Sequence, residues 1–154
     1  MLQPVEPVFF QFEADFVESL RCIPMVVRYK LDTCGIKLKL DQWSHFPQAA
    51  QQQLVSLPCG SPEEVAAYRQ YLIDLIWQHA QVQASELAIE DCPPWLDATQ
   101  IPETVREKAV ATAATLTLEQ WQALTPLQRF ALIKLSRSGH ENRNFIPALQ
   151  EFLA

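Results

Sequence analysis

Ile23-Pro-Met-Val-Val-Arg-Tyr-Lys30, Leu38-Lys-Leu-Asp-Gln-Trp43 and Leu54-Val-Ser-Leu57 belong to a stretch that the chain writes twice. Seventy-eight residues on it reads Ile101-Pro-Glu-Thr-Val-Arg-Glu-Lys108, Leu116-Thr-Leu-Glu-Gln-Trp121 and Leu132-Ile-Lys-Leu135. The two run without a gap and share 11 residues over 35 positions, where unrelated sequence of ordinary composition shares about 2. This is the mark of an internal duplication. Its shared residues are mostly apolar or helix-starting, so it describes a scaffold and does not by itself state a function.

Outward from that stretch the signals are helical. Phe9, Phe12, Phe16, Val17 and Leu20 predict one apolar face of a helix over about Phe10–Arg21. Pro24 starts a second helix, since its missing N–H needs no partner in the first turn, and Gly35 ends it. Ile36 to Leu40 alternates apolar and basic residues. An extended linker is expected there, or else a ribbon paired with its own copy at 114–118. Asp41 is expected to cap a short helix with Trp43 and Phe46, and Pro47 opens another that ends near Leu57. Ser61-Pro-Glu-Glu64 is a capping box with proline at the first position. The helix it starts has Val65, Tyr68, Leu72, Leu75, Ile76 and His79 on one stripe, with His79 expected to be partly buried. In the second copy, Pro102 opens a helix to about Ala114, Thr117–Gln120 and Thr125–Gln128 form capping boxes, and Asn144 caps the last helix.

The expected fold is therefore all-α: residues 1–154 as a single domain, a helical bundle of two tandem, pseudo-symmetric multi-helix repeats around one core. Repeat one covers about 23–81, a proline-containing connector 82–100 and repeat two about 101–153. Three glycines against 11 prolines fit helices with sharp starts and argue against a sandwich or barrel. A net charge of −6 with no run of basic residues speaks against nucleic-acid binding. No apolar run approaches the ~18 residues of a membrane span, and no secretory leader is visible at Met1-Leu-Gln-Pro4. A cytoplasmic setting with reduced thiols is expected.

The chemistry-bearing residues are few. Cys22, Cys34, Cys59 and Cys92 lack the C-x-x-C spacing of zinc ribbons and redox motifs. They could converge as a metal or iron–sulfur carrier, with Cys22 and Cys59 the nearest to ligands because each flanks a proline-marked helix start that lowers a thiol pKa. The plainer reading is that they pack as small hydrophobes. His45, His79 and His140 form no H-x-x-x-H, and no nucleophile elbow or phosphate loop occurs. No cofactor and no catalytic residue is expected, and the chain reads as a non-enzyme. Glu90 and Asp91 beside Cys92-Pro-Pro-Trp95 read as a solvated acidic loop, or as an acidic contact for a basic partner. The densest polar run, Ser136 to Asn144, joins two helices, where binding residues tend to sit.

Phe10-Gln-Phe-Glu-Ala-Asp-Phe-Val-Glu-Ser-Leu-Arg-Cys-Ile-Pro-Met25, Lys30-Leu-Asp-Thr-Cys-Gly-Ile-Lys-Leu38, Leu57-Pro-Cys59, Gln128-Arg-Phe-Ala-Leu-Ile-Lys-Leu-Ser-Arg137 and Gly139-His-Glu-Asn142 resemble the nitrate reductase-associated proteins of cyanobacteria and some algae. The similarity covers about Val8 to Leu153. It implies a small accessory protein for the ferredoxin-dependent assimilatory nitrate reductase, a molybdenum and iron–sulfur enzyme, supporting that enzyme's activity or maturation through protein–protein binding. It carries over no catalytic residues. The polar positions within the matched blocks, Arg21, Cys22, Arg137, His140, Glu141 and Asn142, are the candidate partner contacts.

Overall fold

The structure, a computed structural model, describes residues 9–14, 20–137 and 142–154. Among them the chain is mostly helical, with α1 (Met25–Cys34), α2 (Leu40–His45), α3 (Gln48–Ser56), α4 (Pro62–Ala80), α5 (Glu103–Ala111), α6 (Leu118–Ala123), α7 (Pro126–Ser136) and α8 (Phe145–Leu153). One small antiparallel ribbon joins β1 (Ile36–Lys37) to β2 (Ser85–Glu86). The chain divides into two compact units. One holds Glu13–Ile89 with Phe9, and the other holds Glu90–Ala154 with Phe10–Phe12.

In the first unit α1 packs on α3 and α4, and α2 and α3 also lie against α4. Val27, Trp43, Leu54, Leu72 and Ile76 are fully buried there. The Trp43 indole N–H donates to the Leu20 carbonyl at 2.7 Å, so the largest core side chain buries no unsatisfied donor. The start of α1 has no capping side chain at Pro24. The buried carboxylate of Glu13 serves instead, accepting the Met25 N–H at 3.2 Å, where the helix dipole also favours an anion. Gly35 closes α1 at φ 77°, and a Cβ there would stand 2.8 Å from Ile89 and 3.0 Å from the Leu87 carbonyl. The capping box of α4 is complete: Ser61 Oγ accepts from the Glu64 N–H at 3.2 Å, and Glu64 Oε1 accepts from the Ser61 N–H at 2.9 Å.

In the second unit α7 is central, packing on α5, on α8 and on the 3-10 turn Pro94–Leu96. Phe130, Leu132, Leu135 and Phe145 are fully buried. Phe10 and Phe12 stack at 5.5 Å and lie against the Phe152 ring of α8, while the Phe12 N–H donates to Glu151 at 3.0 Å. Both expected capping boxes are present, at Thr117/Gln120 and Thr125/Gln128.

Three pairs of helices, α1/α5, α2/α6 and α3/α7, begin at residues 25/103, 40/118 and 48/126, each 78 apart. Val27 and Val105, Trp43 and Trp121, and Leu54 and Leu132 are all fully buried. Gln51 donates to the Trp43 carbonyl at 2.9 Å, and Arg129, 78 residues later, donates to the Trp121 carbonyl at 3.2 Å.

Several expectations need correction. Of the helix placed over Phe10–Arg21, Gln11–Glu13 is a 3-10 turn, Ala14 is helical, and 15–19 lie outside the described residues. The helix cannot reach Arg21, because Leu20 takes a left-handed φ of 58°, which no α-helix contains. The Trp43 helix begins at Leu40 with Lys39 before it, so Asp41 lies inside it rather than capping it. The first-turn contact comes from Gln42, whose side chain accepts the Lys39 N–H at 3.0 Å. Ile36–Lys37 is a strand and pairs with Ser85–Glu86 of the connector, not with 114–118. Asn144 precedes α8 with helical dihedrals and no side-chain cap, because a 3-10 turn at Asn142–Asn144 leads straight into the helix. The helix after Pro102 stops at Ala111, and Ala113 turns left-handed at φ 57°. There the Ala114 N–H reaches the Ala109 carbonyl at 2.8 Å and the Ala113 N–H reaches that of Val110 at 3.1 Å, a Schellman closure.

Candidate functional site

Arg21 is exposed and Cys22 half-buried, side by side ahead of α1 in the first unit. Arg137 is exposed where α7 ends in the second unit. His140 and Glu141 lie outside the described residues, and Asn142 is placed by its backbone in the turn before α8. Arg21 and Cys22 are neighbours by sequence adjacency.

The four cysteines differ in setting, with Cys22 and Cys59 half-buried. Cys34 is sealed in the first core, with its thiol directed at the Leu31 carbonyl at 3.7 Å, while Cys92 is exposed in the second unit. Among the described residues no three His, Cys, Asp or Glu side chains are grouped to hold a metal ion. Cys59 does not have the lowered pKa expected beside a helix start. Burial, reinforced by Cys34, pushes its thiol up to about 12. Burial raises the Cys34 thiol and the Tyr68 phenol as well. Two of these groups, Tyr68 and Cys59, lie beside Lys30, whose ammonium stands 5.7 Å from the Tyr68 ring centroid and donates to the Val55 carbonyl at 2.7 Å and that of Leu57 at 2.6 Å. Lys30 thus ties α1 to the carbonyl end of α3, and burial lowers its pKa. His79 is partly buried on α4, as expected, with its ring edge-on to Phe46 at 6.0 Å.

Among the described residues a concave feature lies in the second unit, in the segment expected to be a plain connector. Glu90, Asp91, Cys92, Pro93, Pro94, Leu96, Asp97, Gln100 and Pro102 line a cleft of about 610 Å³. Its framework follows from the sequence. Pro93 and Pro94 exclude a regular helix and fold the chain into the 3-10 turn Pro94–Leu96. The turn drives Trp95 inward, edge-on to Phe130 at 5.0 Å, and leaves Leu96 55% exposed. Two bonds fasten its backbone to the core. Arg129 Nη1 donates to the Trp95 carbonyl at 2.9 Å, and the Trp121 indole N–H donates to the Asp97 carbonyl at 3.0 Å. The Asp97 carboxylate accepts both the N–H and the hydroxyl of Thr99, and these bonds hold its pKa below the usual carboxylate range.

Sequence reasoning missed Arg129. It is buried, and its guanidinium also donates to the Leu124 carbonyl at 2.8 Å and, more weakly, to that of Gln122 at 3.4 Å. One cation therefore closes the carbonyl end of α6 and holds the cleft turn. The signal was available: a lone arginine at the start of the apolar run Phe130-Ala-Leu-Ile133.

Residues 9–152 match the family model of conserved nitrate reductase-associated proteins. No curated protein and no solved structure matches the chain. With nearly its whole length matched, the chain belongs to the nitrate reductase-associated family.

Proposed function

We propose that this member of the family is a non-enzymatic accessory protein of assimilatory nitrate reductase, acting in the cytoplasm by binding the reductase and supporting its maturation or active form. The observation that carries this reading is the family match across residues 9–152. Binding without chemistry suits what the side chains offer. The polar groups in the cores are spent on helix ends and backbone carbonyls, as Lys30 and Arg129 are, and the open cleft offers shape and charge. A partner that favours one conformation of the reductase shifts its population toward that form by preferential binding alone. No helix among the described residues is long and apolar enough to cross a membrane.

We also read the chain as two copies of one helical unit. The common offset of 78 in three helix starts, and the matched roles of Trp43 with Gln51 and Trp121 with Arg129, support that reading. Duplication then supplies the scaffold, and the partner contacts belong to what the copies do not share: Arg21, Cys22, Arg137, His140, Glu141, Asn142 and the cleft of the connector.

The test is co-purification. A tagged chain is expected to retain the reductase from an extract that contains it, and reductase made without the chain should show lower activity or incomplete cofactor loading. Reductase that is fully active without the chain, and that the chain does not retain, overturns the reading. His140→Ala/Asn142→Ala and Cys22→Ser then locate the contact: loss of retention in either keeps its site, and full retention in both removes those residues from the partner surface.

A further inference from the structure

We infer that the cleft lined by residues 90–102 is a docking groove for a basic, apolar-bearing segment of a protein partner, a lysine or arginine next to a leucine-sized side chain. The inference rests on the accessory reading only for who the partner is; the chemistry of the groove stands on its lining.

Four observations carry it. The first is size: about 610 Å³ lies within the roughly 300–1,000 Å³ of clefts that hold small ligands or a few side chains. The second is the division of its lining. Pro93, Pro94, Leu96 and Pro102 make an apolar wall, and Glu90, Asp91 and Asp97 supply three carboxylates with no lysine or arginine among the lining residues. Among the described residues neither Glu90 nor Asp91 is in a salt bridge, so their charge is available to a cation from outside, while Asp97 is already bonded by Thr99 and attracted to Arg129 and adds to the negative field of the groove. The third is rigidity. The turn that carries Leu96 is held by Arg129 and Trp121 through backbone carbonyls, and Thr99 orients Asp97. A groove built in advance loses little entropy on binding. The fourth is that three lining residues are prolines and offer no N–H. A segment laid along them cannot simply add a β-strand, so recognition falls to its side chains. An exposed leucine beside carboxylates then favours apolar and basic groups close together over charge alone.

The experiment uses the full chain and a fluorescein-labelled peptide, Gly-Lys-Leu-Arg-Leu-Lys-Gly, read by fluorescence anisotropy. The peptide should bind, and its counterpart with glutamate in place of the basic residues should not. Glu90→Lys/Asp91→Lys should weaken binding about tenfold or more. Glu107→Lys/Glu119→Lys makes the same change of net charge on α5 and α6 outside the cleft and should cost less than about twofold. Leu96→Ser should cost about fivefold, the scale of one apolar contact. All the altered side chains are exposed, so far-UV and near-UV circular dichroism should be unchanged. Equal loss in the two charge variants, no effect of Leu96→Ser, or competition by spermidine as strong as by unlabelled peptide would each reduce the cleft to general electrostatics and overturn the proposal, as would no binding at all. The two readings fail separately. Peptide binding is measured without the reductase, and a chain that binds peptide but retains no reductase refutes the accessory role and keeps the groove.

Discussion

Arg129 takes the position that Gln51 takes 78 residues earlier, and the difference between them lies in reach. The amide of Gln51 donates to the Trp43 carbonyl, whereas the guanidinium of Arg129 spans the carbonyls of Trp95, Trp121 and Leu124. Arg129→Met should therefore strand buried acceptors and lower stability by about 2–4 kcal/mol, read as the urea midpoint of tryptophan fluorescence. Arg129→Lys should recover only part, because a single ammonium cannot serve a fork of carbonyls. A second prediction concerns pH. Burial raises the pKa of Cys34, Cys59 and Tyr68, with Cys59 at about 12 against an ordinary value of 9.0. In the window between those two values the folded chain holds a proton on Cys59 that the unfolded chain releases, so stability is full below pH 9 and is lost as pH rises toward 12. Lys30 works the other way, its lowered pKa favouring the folded state as pH climbs toward 10.5. The net expectation is a fall, since three groups oppose one. Urea midpoints taken above pH 9 should drop less steeply in Cys59→Ala than in the parent chain. A parallel decline in both would assign the effect to other groups.

At the scale of elements, helix starts were far more legible than helix ends. Ser61, Thr117 and Thr125 state their role through a hydroxyl and a Glu or Gln three residues on, and all three boxes formed as read. Ends depend on backbone geometry that a side chain need not announce. Gly35 announced one; Ala113 closes α5 in the same left-handed region without a glycine. The two positions invite opposite changes. Ala113→Gly should stabilise by about 0.5–1 kcal/mol, since the left-handed cost for a Cβ outweighs the added freedom of the unfolded chain. Gly35→Ala should destabilise by more than about 1 kcal/mol, because its Cβ adds the clash with Ile89 and the Leu87 carbonyl to that cost. Thermal melts of both decide it, and a shift of the same sign in the two would contradict this account. The ribbon escaped sequence reading for a tertiary reason. Ser85-Glu86 shows no apolar alternation, and its backbone pairing with Ile36-Lys37 is reinforced by Arg69, which bonds the carbonyls of Cys34 and Gly35 and the Glu86 carboxylate.

Across the whole molecule, the helical class and the family were readable because repeated tryptophans, prolines and long sequence blocks carry them. The cleft was not, because a concavity belongs to the path of the backbone. Glu90-Asp91-Cys92-Pro-Pro-Trp95 shows acid and proline, but not that Trp95 turns inward and Leu96 outward. If the carboxylates of Glu90 and Asp91 govern partner capture by this acidic chain, raising the salt from about 0.05 to 0.5 M, which shortens the screening length severalfold, should weaken binding of the labelled peptide in the parent chain much more than in Glu90→Lys/Asp91→Lys. The fastening of the Pro94–Leu96 turn also bears on how such a chain can drift through descent. A connector between helical units is ordinarily the place where length changes are tolerated. Here the register between Trp95 and Arg129, and between Asp97 and Trp121, is fixed by two bonds to main-chain oxygens. One residue gained or lost between 93 and 97 would slide the indole out of the core, so insertions in kindred sequences belong in the exposed stretch near Gln81 to Gln83, and the length of the turn should be inherited almost unaltered.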